Sequence, residues 1–279
     1  MKNLKYTILT LMLILSVGAS NAQSLSNKKI EDMTFHIYKS SVENFGVTSV
    51  LSEGKNDLLL VDAQFSNIAA KDIIDLIKST GKPLKTIYIS HYDPDFYFGL
   101  KFIADAYPQA KIISTAQTAY IINETKDDKL VVWKDLLKEN APVSFIVPEA
   151  VTGDSFNFEN HQIEIKANAY YPDHSYLWIP SAKVILGGVA LFEDIHVWLA
   201  DNKSQESRTA WSKQLDEMKE LKPAFVIPAH FALSNKAINP SSAIEFTRTY
   251  LVNAERADKE SSNSAESVQK MKSIYPNLG

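Results

Sequence analysis

Read for the alternation of apolar and polar positions, the chain opens with three short β-type stretches, Met33–Lys39, Val47–Ser52 and Asp57–Val61. The turn "EGKND" between the last two carries Gly54 and Asn56, which suits a hairpin. The period then changes. Ile68, Ile73, Ile74 and Ile77 approximate one face of a helix over Ile68–Ser79, and Gly81-Lys82-Pro83 stops it. "LKTIYISH" is the next β-rich run and "AKIIST" another, with a helical stretch, Phe98–Tyr107, between them. Two helices are predicted after that, Ala116–Asn123 and Lys126–Glu139.

The second half starts over with strands. "SFNFENHQIEIKANAYY" alternates around a polar turn, and "SYLWIP" and "AKVILGG" are two strands joined by Pro180-Ser181-Ala182. A helix is predicted over Glu206–Leu221, with Trp211, Leu215 and Met218 on its apolar face, where they read as core packing. "PAFVIPAH" reads as a short buried strand ending at His230. The tail, Ser241–Tyr275, is polar and helical in character, with "KESSNSAES" as a solvated hinge. Hairpin strands followed by helix–strand alternation, twice over, predict two sheets packed face to face with helices outside.

Composition narrows this picture. The chain has 279 residues, 45% of them hydrophobic, enough for a substantial core. The net charge of −4, without a Lys/Arg stripe, argues against a nucleic-acid partner. Cysteine is absent, so disulfides, thiolate nucleophiles, thiolate metal ligands and lipid-acylated cysteine are all excluded. Residues 1–22 read as a signal peptide: Lys2 and Lys5, an apolar run from Tyr6 to Val17, then small residues with Ser20 and Ala22 at cleavage positions. That run is short for a spanning helix. The expectation is a periplasmic or secreted protein without a stable membrane anchor, in which residues 23–279 form one domain with a helical C-terminal tail. Its oligomeric state is not legible.

The chemistry concentrates in "ISHYDPDFYFGL". His91 follows an apolar strand, and Asp93 and Asp95 follow at steps of two, so all three side chains can converge in an extended loop. Pro94 stiffens the loop and Gly99 lets the backbone turn. An imidazole with two carboxylates suits zinc, iron or manganese. The plainer reading is a solvated turn with Asp95 as a helix N-cap.

"SHYDPDFYFG" resembles the metallo-β-lactamase superfamily signature T-H-x-H-x-D-H-x-x-G. "NDLLLVDAQFS", "SYLWIPSAKVILGG" and "FVIPAH" resemble further landmarks of that family, in order, over roughly residues 33–232. The resemblance implies an α/β fold, a four-layer αββα sandwich of two mixed sheets flanked by helices, with the active site at one edge between the sheets. It implies His91, Asp93, Asp95 and His230 as metal ligands and Asp62 as a residue that supports the metal loop through hydrogen bonds. The departures are as informative. Phe96 stands where the family has its third motif histidine, Tyr170 where it has the next, and Val189 where a bridging Asp or Cys follows "GG".

A full dinuclear centre is therefore not expected. Two histidines and two carboxylates can instead gather one divalent cation, zinc first, with iron or manganese as alternatives, or none. Under that expectation Asp95 orients or deprotonates a water and Tyr170 hydrogen-bonds an oxyanion, in an exported hydrolase of a small-molecule ester, lactone, lactam or thioester. Phe96, His174, His196 and Trp198 are the candidate substrate contacts. Against these stand a surface-turn reading for His174, a packing reading for Phe96, and a solvated loop at Glu193 and Asp194. His36 and His161 read as structural or solvent-facing. The rival function is a non-catalytic relative that binds a ligand or partner in the same cleft.

Overall fold

Alternate residues of Leu58–Val61 belong to two different cores. Leu58 and Leu60 pack toward helices, while Leu59 and Val61 pack toward a second sheet. That two-sided burial is what a strand inside a layered fold requires. The computed structural model describes residues 24–41, 44–168, 171–231 and 242–278. The leader-like segment and Tyr170 lie outside the described residues.

The first sheet follows chain order: β1 (Ser24–Ile30), β2 (Met33–Lys39), β3 (Thr48–Glu53), β4 (Leu58–Val61), β5 (Leu84–Ile89), β6 (Lys111–Ser114) and β7 (Glu149–Ala150). Its first four strands are antiparallel hairpins, and from β4 onward neighbours are parallel. Helices α1 (Asn67–Thr80), α2 (Pro94–Tyr97), α3 (Leu100–Ala106) and α4 (Ala116–Leu137) make the connections on this side. The second sheet contains β8 (Ser155–Phe158), β9 (His161–Asn168), β10 (Tyr171–Ile179), β11 (Val184–Leu186) and β13 (Phe225–Val226), in the order β13-β11-β10-β9-β8. A two-stranded parallel piece pairs β12 (Phe192–Glu193) with β14 (His230–Phe231). Helices α5 (Gln205–Glu220), α6 (Ser242–Lys259) and α7 (Ser264–Ile274) complete the chain.

Three stacked cores make the layers. Ile73, Ile77 and Ile103 pack with Leu60, Ile87 and Ile89 on the outer face of the first sheet. Phe35, Val61 and Tyr88 meet Ile163, Leu177 and Leu186 between the sheets. Trp211, Leu215, Met218 and Leu251 cover Tyr176, Trp178 and Ile185 on the far side. The molecule is thus the expected αββα sandwich of mixed sheets.

Several local expectations need correction. β1 was not expected, because its sequence SLSNKKI is polar; it is the edge strand of its sheet, where lysines discourage further pairing. The helix expected over Phe98–Tyr107 is present as α3, but a separate single turn, α2, precedes it, and Asp93 rather than Asp95 occupies the N-cap position of that turn. Ile68 is exposed, and the buried face of α1 is Ala69, Ala70, Ile73, Ile74 and Ile77. The two helices expected between Ala116 and Glu139 are one, because Thr125 satisfies its hydroxyl on the Ile121 carbonyl at 2.8 Å without breaking the turn. "PAFVIPAH" contributes two short strands to different sheets, since Pro228 cannot supply a ladder N–H.

Candidate functional site

The loop after β5 is held by a buried hydrogen-bond relay. Asp62, just past β4, has φ 66° and is buried. Its Oδ1 accepts the Ser90 N–H at 2.8 Å and its Oδ2 accepts the Ser90 hydroxyl at 2.7 Å. Ser90 Oγ in turn accepts the Gly188 N–H at 2.7 Å, which ties in the segment after β11. Gly188 itself has φ 75°, and a Cβ there would stand 2.1 Å from the Ser175 carbonyl oxygen, so only glycine fits. Burial raises the Asp62 carboxyl to about 7, against the opposing effect of the Ser90 hydrogen bonds.

His91 emerges next, 2% exposed. Its Nδ1 lies 3.4 Å from Asp93 Oδ2 and 3.3 Å from the Asp93 amide. Its Nε2 is buried with no hydrogen-bond partner. The other Asp93 oxygen, Oδ1, lies 3.4 Å from the ammonium of Lys129 on α4. Burial opposes the Asp93 charge, but His91 and Lys129 outweigh it and hold the carboxyl well below the usual range.

Asp95 and His230 form a second pair, Oδ2 to Nε2, at 3.4 Å. His230 Nδ1 donates to the Phe45 carbonyl at 3.0 Å, which leaves Nε2 facing Asp95. Burial lowers His230 to about 4. Burial, and then the charge of Asp93, raise Asp95 well above the ordinary value. Both shifts disfavour a charged Asp95–His230 ion pair.

Four of the predicted side chains thus stand in two pairs, His91 with Asp93 and Asp95 with His230. Phe96 is fully buried and touches both histidines edge to face, at centroid distances of 5.3 Å to His91 and 5.7 Å to His230. It packs in a small apolar cluster with Val47, Ala229 and Val189. Two of the three positions at which the resemblance expects a metal donor and the sequence has none, Phe96 and Val189, therefore pack in one cluster. Among the described residues, no group of three or more His, Asp or Glu is arranged to hold a metal ion. The donor types suit a divalent cation, but their arrangement does not fit the dinuclear centre.

A cleft of ≈ 370 Å³ opens beside the pairs. Phe45, Phe65, Trp133, Val189, Phe192, Ile195 and Trp198 give it apolar walls, and Asp93, Asp95, Lys129, His196, Asp201 and His230 supply its polar groups. Trp198 Nε1 donates to Asp201 at 2.7 Å, and His196 Nδ1 is 2.9 Å from the Tyr250 hydroxyl. Such a cavity, apolar with few convergent polar groups, is the ordinary form of a small-molecule site. The larger hollow between α6 and α7 is more open and mostly lined by helix-surface polar residues.

The remaining residues fall elsewhere. His174 is not in a surface turn; it is buried in β10, with its ring 5.6 Å from His91 and 6.0 Å from Trp211. Phe96 is buried beneath the loop, and the lining of the cleft is supplied by other residues. Glu193 is not in a solvated loop; it sits buried in β12 and accepts a hydrogen bond from Ser242. His161 is fixed by Ser181 at 2.8 Å and Asp32 at 2.9 Å, and His36 by Glu53 at 2.7 Å. Sequence reasoning missed Ser90, Lys129, Phe45 and Trp133. Ser90 adjoins the motif, which is a usable signal, whereas Lys129 is one charge among many in "ETKDDKL".

Comparisons with known proteins place this geometry. The model of the metallo-beta-lactamase superfamily matches residues 42–230. The uncharacterized protein YobT of Bacillus subtilis (strain 168) is 30% identical over 78 residues, 28% of this chain and 33% of that protein. The match thus spans about a third of the curated relative's length. Among solved structures, a metallo-beta-lactamase from Pontibacter korlensis has a TM-score of 0.60 at 16% identity, covering 82% of this chain and 100% of that one. DIM-1 metallo-beta-lactamase has a TM-score of 0.57 at 17% identity, covering 84% and 100%. At such identities the likeness is one of fold.

Proposed function

We infer function from the premise that this chain belongs to the metallo-beta-lactamase superfamily, and propose that it binds a small, largely apolar molecule in the cleft without a dinuclear metal centre. The observation that carries this reading is the joint packing of Phe96 and Val189. Both stand where the family resemblance places metal donors, and Phe96 backs Val189, which lines the cleft, with apolar packing instead. A fold can outlive its chemistry when the site is altered. The aromatic walls at Phe45, Trp133 and Trp198 provide area for an apolar ligand body, and Asp93, Asp95 and His230 provide hydrogen bonds to orient it. The leader-like N-terminus supports an exported location for this activity.

The test is elemental analysis of the purified protein together with a panel of chromogenic esters, lactones and cephalosporins. Substoichiometric metal and binding without turnover are expected. Stoichiometric metal, with turnover abolished in both Asp95→Ala and His230→Ala, overturns the reading.

A second reading, an exported metal-dependent hydrolase, is favoured by one specific observation. His91 Nε2 is buried without a hydrogen-bond partner, and His230 turns its Nε2 toward Asp95 with Nδ1 tied to a carbonyl. Both features leave imidazole nitrogens disposed for a ligand. The same panel decides between the two.

A further inference from the structure

Among the described residues the cleft is lined by one ammonium, that of Lys129, and it sits on the motif loop. Lys129 reaches from α4 to donate to the Tyr92 carbonyl at 2.7 Å, and its Nζ lies 3.4 Å from Asp93 Oδ1. The same Nζ stands over the Tyr92 ring, 4.6 Å from its centroid. Carbonyl, carboxylate and ring face converge on one positive charge. The contact spans 36 positions of sequence, unlike the exposed helix-surface pairs Lys71–Asp75 and Lys101–Asp105. The Lys129 and Asp93 side chains are 22% and 27% exposed, so the pair is shielded more than an ordinary surface bridge.

We propose that Lys129 is the resident cation of this loop: its ammonium takes the electrostatic place of a metal beside Asp93 and keeps divalent cations out. With Oδ1 on Lys129 and Oδ2 facing His91 Nδ1, both Asp93 oxygens are committed. A divalent ion approaching Asp93 meets a fixed positive charge a few ångströms away and must displace it. Removing the ammonium frees Asp93 to turn, next to an imidazole whose Nε2 has no partner. Lys129 is thus a positioning residue for Asp93, and this role rests on the proposed absence of the dinuclear centre.

Zinc titration by calorimetry on the full chain tests this, with wild type, Lys129→Met, Lys129→Arg, and Lys129→Met combined with Asp93→Asn. Lys129→Met is expected to bind zinc at least about tenfold more tightly than wild type, equivalent to about 1.4 kcal/mol. Lys129→Arg keeps the charge and is expected to match wild type, and Asp93→Asn is expected to erase the gain. Lys129→Gln replaces Met as the neutral variant if the Met variant loses its folded circular dichroism. Equal affinities in wild type and the neutral variant, or an equal gain in Lys129→Arg, overturn the proposal. Stoichiometric metal in the wild type as purified overturns both this proposal and the functional reading above, whereas equal affinities in a wild type purified without metal overturn this proposal alone.

Discussion

The Phe96 ring meets the His230 imidazole edge to face, with centroids 5.7 Å apart, while the Phe96 carbonyl accepts the Ala63 N–H at 2.7 Å. The residue that replaces a donor is thus built into both the packing and the backbone of the loop. Phe96→His alone is expected to lower stability by about 2–4 kcal/mol, since it exchanges buried apolar volume for an unsatisfied polar ring. Combined with Val189→Asp, it is expected to make the melting temperature rise on zinc addition. Thermal denaturation with and without zinc checks both statements, and a double variant insensitive to zinc contradicts the second.

Asp62 is expected to imprint a pH dependence on stability. Its carboxyl is raised from 3.8 to about 7 by burial. Between those values the folded state holds a proton that the unfolded state has released, so stability falls as pH rises through that window. The contribution is on the order of 4 kcal/mol, fully present below pH about 4 and lost above about 7. Asp62→Asn cannot titrate and should flatten this part of the profile. Urea denaturation of both proteins from pH 4 to 8 checks it, and parallel profiles refute it.

Asp93 and Asp95 should respond differently to the same change. Burial and the charge of Asp93 both disfavour the ionised form of Asp95, so its neutral replacement Asp95→Asn is expected to cost under about 1 kcal/mol at neutral pH. Asp93 is charged and answers to His91 and Lys129, so Asp93→Asn is expected to cost about 1–3 kcal/mol. Chemical denaturation of the two variants measures the contrast; the reverse order rejects it.

Gly99 has an ordinary φ, yet a Cβ there would stand 2.2 Å from the Ala63 carbonyl oxygen and 2.8 Å from the Ala70 Cβ. Its amide donates to the Gln64 carbonyl at 2.9 Å, so the two segments cannot part cheaply. Gly99→Ala is expected to cost more than about 3 kcal/mol, by overpacking backbone against backbone. A melting temperature within a few degrees of wild type would refute it.

Much of the sandwich was legible because its signals are local. Gly81 closes α1 at φ 70°, as the Gly81-Lys82-Pro83 stop after an apolar stripe predicts, whereas the Ser66 cap on the Ala69 amide was not read from the sequence. The strand over Leu58–Val61 was legible as an apolar run, while its division between two cores was not, since all four residues are apolar. The pairing of β12 with β14 was not legible, since two-residue strands carry no period and their partnership spans almost forty residues. At the site, motif spacing brought out His91, Asp93, Asp95 and His230, but not that they stand as two pairs. That arrangement depends on Phe96 packing with Val189 and on Lys129 arriving from α4, contacts between segments far apart in sequence.

The Asp62–Ser90–Gly188 relay ties the segments that follow β4 and β5 of one sheet to the segment that follows β11 of the other. Hydrogen bonds within the chain therefore tie this rim together. Individual donors can then be exchanged one at a time without unravelling their surroundings, so the chain is a ready chassis for directed evolution, in which ligands can be reinstalled singly and scored by titration.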